Sequence, residues 1–172
     1  MKIYLGLGSN LDDREANLTE AVDRIGTIVG NVIRTSSIYE TEPWGFTTDE
    51  QFLNMVVEAE TDLNPADLHE QTKKIETRLG RIKDKEEEEY TSRIIDIDIL
   101  FYEDVIVNDV DLRIPHPLIE ERNFVLVPLN EIAPDFVHPV LKKKISELLQ
   151  ASSDTGEVRM VSLPLVKAER NG

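Results

Sequence analysis

Two carboxylates stand two residues apart in the apolar stretch RIIDIDILF. If this stretch is a β-strand, Asp96 and Asp98 project from one face while the isoleucines between and beside them project from the other. Two neighbouring carboxylates repel, and one takes up a proton unless a cation holds both. Magnesium suits the pair because it binds protein carboxylates together with water and phosphate oxygens. A solvent-facing polar stripe on an ordinary edge strand is the alternative.

Basic residues flank the acidic pair in the sequence. Arg93 lies just upstream, and Arg81 and Lys83 precede a run of four glutamates. Cationic side chains beside a metal-binding carboxylate pair are what recognition of a nucleoside triphosphate requires. For the two arginines, a surface salt bridge to the glutamate run is the alternative interpretation.

The composition restricts the classes of partner and compartment. A length of 172 residues suffices for one domain with a sizeable core. The net charge of −15 argues against nucleic acids and anionic membranes, which need concentrated lysine and arginine. The chain has no cysteine, no recognisable signal peptide and no long apolar run of the kind that spans a membrane. We therefore expect a cytoplasmic protein, and a monomer rather than an oligomer.

The elements that must position the acidic pair follow from periodicity and capping signals. Apolar spacing predicts a helix over 13–28 that is capped by Asn10 or Asp12, and a second helix capped by Asn64, with Pro65 at its first position and Gly80 at its end. A third helix is predicted over about 141–150. Strands are predicted over 2–7, 32–39 and 52–60, through the acidic pair, and within EVRMVSLPLV.

The order of these elements predicts the fold class. Strand, helix, strand, strand, helix, strand is the order of a ferredoxin-like α+β domain. We expect a single domain with a mainly antiparallel sheet and helices packed on it. This fold hosts many functions, so the candidate site has to carry the functional argument.

Six sequence blocks resemble one known family, the 6-hydroxymethyl-7,8-dihydropterin pyrophosphokinases of folate biosynthesis. They occur in the family's order and close to its spacing over residues 1–150, and they read LGLGSNL, SSIYETEPWG, QFLNMVV, IETRLGR, SRIIDIDILFY and IPHPLIEERNFVLVPLNEIAP. The remaining residues, 151–172, form a C-terminal extension that we expect to hold a short strand and a frayed tail.

The resemblance implies a reaction and its catalytic groups. The family transfers the β,γ-pyrophosphoryl group of ATP to the hydroxymethyl of the pterin and releases AMP. Asp96 and Asp98 match the carboxylates that hold two magnesium ions. Arg81 and Arg93 match phosphate-contacting arginines, which resemble electrostatic stabilisers more than proton-transfer groups.

The resemblance also implies two binding subsites. Residues that match the pterin subsite are the stacking ring Phe124 with Trp44 or Phe52, the edge-reading Asn54, the basic Arg122, and Thr41, Glu42 and Pro43 through their backbones. Residues that match the nucleotide subsite are Glu76, Lys83, Ile99 and His116. The alternative for Phe52 and Phe124 is packing in the core. Glu76 could instead be an exposed helix acid paired with a lysine, and His116 could be a polar surface residue.

One segment departs from the family pattern. Where the family carries a basic loop ending in W-x-P-R, this chain reads IKDKEEEEYTS, with Tyr90 and Ser92 at the tryptophan and proline positions. We expect the glutamates to weaken ATP binding unless they point to solvent. The segment is either a lid over ATP or a solvated loop, which leaves the role of Lys83 open. Another magnesium-dependent nucleotidyl or phosphoryl transferase, and a non-catalytic ligand-sensing module, are the alternative functions.

Overall fold

The acidic pair belongs to a six-stranded antiparallel sheet. The computed structural model describes residues 1–41, 51–80 and 94–168. The strands of the sheet are β1 Lys2–Ser9, β2 Gly30–Thr35, β3 Ile38–Thr41, β4 Phe52–Thr61, β5 Asp96–Tyr102 and β8 Val158–Ser162. Their order is β5-β1-β4-β3-β8, and β2 pairs with the far end of β4. A separate hairpin consists of β6 Val107–Asn108 and β7 Arg113–Ile114.

Within the described residues, four helices cover the two faces of the sheet. They are α1 Arg14–Ile28, α2 Pro65–Arg78, α3 Asn123–Ile132 and α4 Ile145–Ala151, with a 3-10 turn at Ile119–Glu121. Alternate residues of β1 divide the core: Leu5 packs in a cluster with α1 and α2, whereas Tyr4 packs in a second cluster with α3 and α4. The predicted α+β, ferredoxin-like class is confirmed. None of the helices in the described ranges has both the length and the apolar character needed to cross a bilayer.

The two capping predictions had different outcomes. Asn64 caps α2 by accepting a hydrogen bond from the Asp67 amide at 2.8 Å, as predicted. The predicted cap of α1 was wrong, because Asp13 occupies that position and accepts from the Ala16 amide. Asp12 has a left-handed φ of 57°, which is not the extended conformation that is usual for an N-cap.

The strand predicted over 32–39 is two strands separated at Ser36 and Ser37. The Ser36 hydroxyl accepts from the Val56 amide at 2.9 Å, and the Ser37 amide donates to both carboxylate oxygens of Glu131 on α3. The Ser36 amide still donates to the Val56 carbonyl at 2.8 Å, so the strand is interrupted where the Ser37 amide bonds to a side chain and not to a neighbouring strand.

The last predicted helix begins later than expected. The prediction was about 141–150, whereas α4 starts at Ile145. Lys142 has a left-handed φ of 58°, which a right-handed helix cannot contain. The C-terminal strand is present as β8, and residues 169–172 of the predicted tail lie outside the described residues.

His138 gives the fold a dependence on pH. It is 5% exposed, and its Nδ1 accepts hydrogen bonds from the amides of Val140 and Leu141, so this nitrogen carries no proton. Burial lowers the pKa of His138. The unfolded chain therefore binds the proton more readily. The contribution of His138 to stability is complete above its ordinary pKa of about 6.5 and is lost as the pH falls through the folded-state value.

We expect the free energy of unfolding in urea to fall between pH 7.5 and 5.5, and to fall less in His138→Asn. The asparagine oxygen can still accept from the two amides but does not titrate. Equal pH dependence in wild type and His138→Asn would contradict this assignment.

Candidate active site

The acidic pair on β5 points away from the buried isoleucines. Asp96 and Asp98 are partly exposed, whereas Ile97 between them is 1% exposed. In the pairing of β5 with β1, Asp96 lies opposite Gly8 and Asp98 lies opposite Gly6. Because directly opposed residues share a face, neither carboxylate has a side chain beside it on β1. At the two aspartates only the aliphatic face of this strand is buried, as predicted, whereas further along the strand Leu100 and Phe101 are also buried and pack in the cluster with α3 and α4.

Asn54, Gly8 and Asp96 form one row across three strands. Gly8 of β1 pairs with Asn54 of β4 on one side and with Asp96 of β5 on the other, so all three positions share a face. Neighbouring strands lie about 4.8 Å apart, which places the two polar positions about 10 Å apart. Since glycine has no side chain, the floor between them is bare backbone.

The amide end of this row has a fixed geometry. Asn54 Nδ2 donates to Thr41 Oγ1 at 2.6 Å, and both residues are buried. Thr41 of β3 pairs with Phe52 of β4, and Phe52 is partly buried beside the row. A Cβ placed on Gly8 would lie 3.0 Å from Asn54 Oδ1 and 3.7 Å from the Phe52 ring. The structure thus brings three of the predicted pterin residues together around Gly8.

Glu76 lies behind the acidic pair. Its Oε1 accepts a hydrogen bond from the Ile97 amide at 2.8 Å, and its Oε2 lies 3.5 Å from Lys73 Nζ. The alternative described Glu76 as an exposed helix acid paired with a lysine. The lysine partner is present, but the exposure was wrong, because Glu76 is 2% exposed. The carboxylate instead joins α2 to β5 at the residue between the two aspartates.

His116 faces the acidic pair from the loop that follows β7. Its Nδ1 lies 2.7 Å from the Pro117 carbonyl, so Nδ1 carries the proton, and Nε2 lies 3.8 Å from Asp98 Oδ2. Burial lowers the pKa of His116, and the positive charges of Arg122 and Lys73 lower it further. The hydrogen bond to Pro117 and the negative charge of Asp96 act in the opposite direction and raise it. Acidic and basic side chains therefore lie together around the His116 imidazole.

Lys73 is a candidate that the sequence analysis missed. It acts electrostatically on His116 and pairs with Glu76, three residues later on α2. The available signal was this spacing of three, which puts two helical side chains on the same face. That signal alone did not distinguish Lys73 from any other solvated lysine.

Arg122 and Phe124 lie at the start of α3. Arg122 is 5% exposed, and its guanidinium carbon is 5.8 Å from the centroid of the partly buried Phe124 ring, within cation–π range. Because Arg122 also acts electrostatically on His116, the start of α3 borders the same site.

Several predicted site residues are not located here. Those outside the described residues are Glu42, Pro43, Trp44, Arg81, Lys83 and Arg93, together with the departing Tyr90 and Ser92. Ile99 is described, but its side chain is 5% exposed and packs in the cluster with α1 and α2. A contact between Ile99 and ATP stays a prediction.

The acidic pair fits magnesium better than a metal held entirely by protein. In the part of the chain that the structure describes, no three histidine or acidic side chains converge in a metal-binding group. Magnesium usually takes one or two protein carboxylates and completes its shell with water and substrate phosphate. Asp96 and Asp98, on one open face, meet that requirement.

We expect Gly8→Ala to raise the KM for a ligand held by Asn54 by about tenfold, because the new Cβ forces the amide away from its position. The contact of 3.0 Å with Oδ1 is tighter than most Cβ contacts, so the amide has to shift by a few tenths of an ångström. Gly26→Ala on α1 is the matched control, since its Cβ would meet only Val32 at 3.8 Å. Steady-state kinetics with each substrate varied separately measure the effect, and an unchanged KM would show that this floor is not part of the site.

Comparison with known proteins identifies the family. The model of the 7,8-dihydro-6-hydroxymethylpterin-pyrophosphokinase family matches residues 4–134. The chain is 39% identical over 145 residues to the 2-amino-4-hydroxy-6-hydroxymethyldihydropteridine pyrophosphokinase of Aquifex aeolicus, covering 84% of this chain and 88% of that protein. It is 46% identical over 137 residues to the protein of the same description from Methylorubrum extorquens, covering 79% and 85%.

Solved structures support the fold. A wild-type Plasmodium falciparum HPPK-DHPS structure with pteroate superposes with a TM-score of 0.69 at 18% identity, over 87% of this chain and 44% of that one. This chain therefore spans less than half of that protein, and the similarity concerns the fold. The family match, by contrast, covers most of the sequence, including β1, β4, β5 and the start of α3. The chain belongs to the 7,8-dihydro-6-hydroxymethylpterin-pyrophosphokinase family.

Proposed function

We propose that this chain transfers the β,γ-pyrophosphoryl group of ATP to the hydroxymethyl of 6-hydroxymethyl-7,8-dihydropterin, in folate biosynthesis. The observation that carries the proposal is the row of Asn54, Gly8 and Asp96, which places an amide and a carboxylate on one face of the sheet. An amide suits the polar edge of a pterin, and a carboxylate pair suits the cation that accompanies a triphosphate. Family membership supports the same reaction.

At the nucleotide end, Asp96 and Asp98 would hold two magnesium ions. When bound, these ions neutralise triphosphate charge and polarise the phosphorus that is attacked. Glu76 keeps the two aspartates in place through the Ile97 amide. His116 would contact phosphate through Nε2 in its imidazolium form, because Nδ1 donates to the Pro117 carbonyl and only the imidazolium also carries a proton on Nε2.

At the pterin end, Asn54 would read the edge of the ring and Thr41 would hold the amide in its orientation. Phe52 and Phe124 would stack on the ring faces, and Arg122, beside Phe124, would supply a cationic contact. The family resemblance adds Pro43 and Trp44 to this subsite. It adds Arg81, Arg93 and Lys83 as phosphate contacts and Ile99 as an ATP contact.

The bond changes follow from this arrangement. The hydroxymethyl oxygen forms a bond to the β-phosphorus, and the bond from that phosphorus to the α,β-bridging oxygen breaks. The bridging oxygen leaves with AMP, and the hydroxyl proton is released. The role of the described residues is to align the two substrates and to bind phosphate charge, not to form a covalent intermediate.

The same proposal covers the organisation of the protein. Residues 1–150 would form the pyrophosphokinase domain and 151–172 its extension. The partners would be the two small-molecule substrates, without nucleic acid or membrane, and the protein would act as a cytoplasmic monomer.

Product analysis tests the reaction. The protein, magnesium, ATP and the hydroxymethyl pterin should yield AMP and the pterin diphosphate in equal amounts, separated by chromatography and identified by phosphorus NMR. Omission of the pterin is the control and should abolish AMP formation. Formation of ADP, or release of inorganic pyrophosphate, would instead indicate another phosphoryl or nucleotidyl transferase. Absence of magnesium-dependent ATP consumption would favour a ligand-sensing module.

A further inference from the structure

The chain that follows α4 reaches the start of α3, where two predicted pterin residues lie. Asp154 Oδ2 accepts a hydrogen bond from the Asn123 amide at 2.8 Å, and the Asp154 carbonyl accepts from Asn123 Nδ2 at 3.1 Å. Asn123 is the first residue of α3 and stands between Arg122 and Phe124. Arg122, at the N-cap position, makes no side-chain capping bond. Asp154, which is remote in sequence, instead accepts a hydrogen bond from the first amide of α3.

The same segment then reaches the other side of the pterin subsite. β8 pairs with β3, which places Val158 opposite Thr41 and Arg159 opposite Glu40. Arg159 Nη2 lies 2.5 Å from Glu40 Oε1. The C-terminal segment thus fastens the strand that carries Thr41, the partner of Asn54.

A second arginine extends this connection to β4. Arg14 Nη1 lies 3.2 Å from Glu40 Oε2 and 2.7 Å from the carbonyl of Gln51, the residue before Phe52. Glu40 is 16% exposed at its side chain, so the two arginines meet a largely buried carboxylate. The neighbouring ends of β3 and β4 are therefore tied to each other and to β8.

The segment between the contact of Asp154 with α3 and the contact of Arg159 with β3 is short and contains hydrogen bonds of its own. Asp154 Oδ1 accepts from the Gly156 amide at 2.8 Å, and the Asp154 amide donates to Ser152 Oγ at 3.2 Å. Both carboxylate oxygens of Asp154 are thus occupied, one by α3 and one by its own turn. Movement of this turn would shift the start of α3 relative to β3.

We propose that residues 152–162 position the pterin subsite, with Asp154 and Arg159 as positioning residues that touch neither substrate. The inference rests on the proposed function. This segment lies beyond the residues that match the family model, which end at 134. Asp154 sets where Arg122 and Phe124 lie, and Arg159 sets where Thr41 lies. The acidic pair at the nucleotide end is held by a separate contact, through Glu76 and the Ile97 amide.

The first test is Asp154→Ala. We expect the KM for the pterin to rise about tenfold, as for loss of a hydrogen bond to a charged group, while the KM for ATP stays within about twofold. Asp154→Asn retains one oxygen that can accept from the Asn123 amide but turns an NH2 group toward the Gly156 amide, so it should restore part of the pterin affinity. Asp135→Ala, in an exposed position paired weakly with Lys144 at 3.5 Å, is the matched control and should behave as wild type.

A second variant keeps the inference testable if Asp154→Ala does not fold, as judged by its thermal unfolding. Arg159→Ala should raise the pterin KM about threefold, the effect of a partly exposed ion pair. Arg24→Ala removes a comparable ion pair with Glu20 on α1, at 2.9 Å, and should leave both KM values unchanged.

The outcomes separate the two proposals. If the wild-type protein makes no pterin diphosphate, the proposed function fails. If the wild type is active and the tested variant leaves the pterin KM unchanged, or raises both KM values equally, the positioning inference is overturned while the function stands. A rise confined to the pterin, with partial rescue by asparagine at 154, supports it.

Discussion

Asp96→Ala and Asp98→Ala will each lower turnover by about 10³-fold, because each removes a carboxylate that must hold cationic charge against the developing phosphate charge. The fold should survive, since both side chains lie on the open face of β5 opposite glycines. Without magnesium, either variant should be at least as stable as wild type, because the repulsion between the two aspartates is removed.

Turnover and thermal unfolding, each measured with and without magnesium, check this expectation. Asp104→Ala is the matched control, because Asp104 is an exposed aspartate just after β5 that should not affect turnover. Stabilisation by added magnesium should be present in wild type and lost in both active-site variants. Activity retained in both would show that the acidic pair is not the cation site.

Glu76→Ala will have the second large effect, on stability and on turnover together. It removes the acceptor of the Ile97 amide and leaves a cavity beside a fully buried strand position. We expect a loss of about 2–3 kcal/mol in the free energy of unfolding from the amide left without its acceptor. Turnover should fall by about 10²-fold because the flanking aspartates are displaced.

Glu76→Gln separates the hydrogen bond from the charge. The glutamine oxygen can still accept from Ile97, so stability in urea should recover most of the loss seen with alanine. Glu70→Ala, on the same helix and paired with Lys74 on the surface, is the control and should change stability little. Equal destabilisation by glutamine and alanine would mean that the charge, not the bond to β5, matters at this position.

Local signals predicted the parts of the fold that depend on local physics. The alternation of apolar and acidic residues around Asp96 and Asp98 predicted which side chains share a face of β5. Asn64 and Pro65 predicted the start of α2. The break at Ser36 and Ser37 could not be predicted in the same way. It depends on hydrogen bonds to β4 and to Glu131 on α3, about twenty and ninety-four residues away in sequence.

The candidate site shows the same division. The acidic pair and His116 were predicted, and the structure places His116 Nε2 3.8 Å from Asp98 Oδ2. The burial of Glu76 and the involvement of Lys73 and Asp154 could not be predicted from spacing. Each of these side chains acts on a residue that only the tertiary structure brings near it: Ile97, His116 and Asn123, respectively.

Because Gly8 stands between Asn54 and Asp96, the backbone of the sheet sets the spacing of these two positions. The distance between the backbones of Asn54 and Asp96 is two strand spacings, which the hydrogen bonds of β4, β1 and β5 fix. Side-chain rotation moves the amide and the carboxylate but not the backbone positions from which they project. We therefore expect an acceptor whose hydroxyl stands one carbon nearer to or further from its ring to be a poorer substrate.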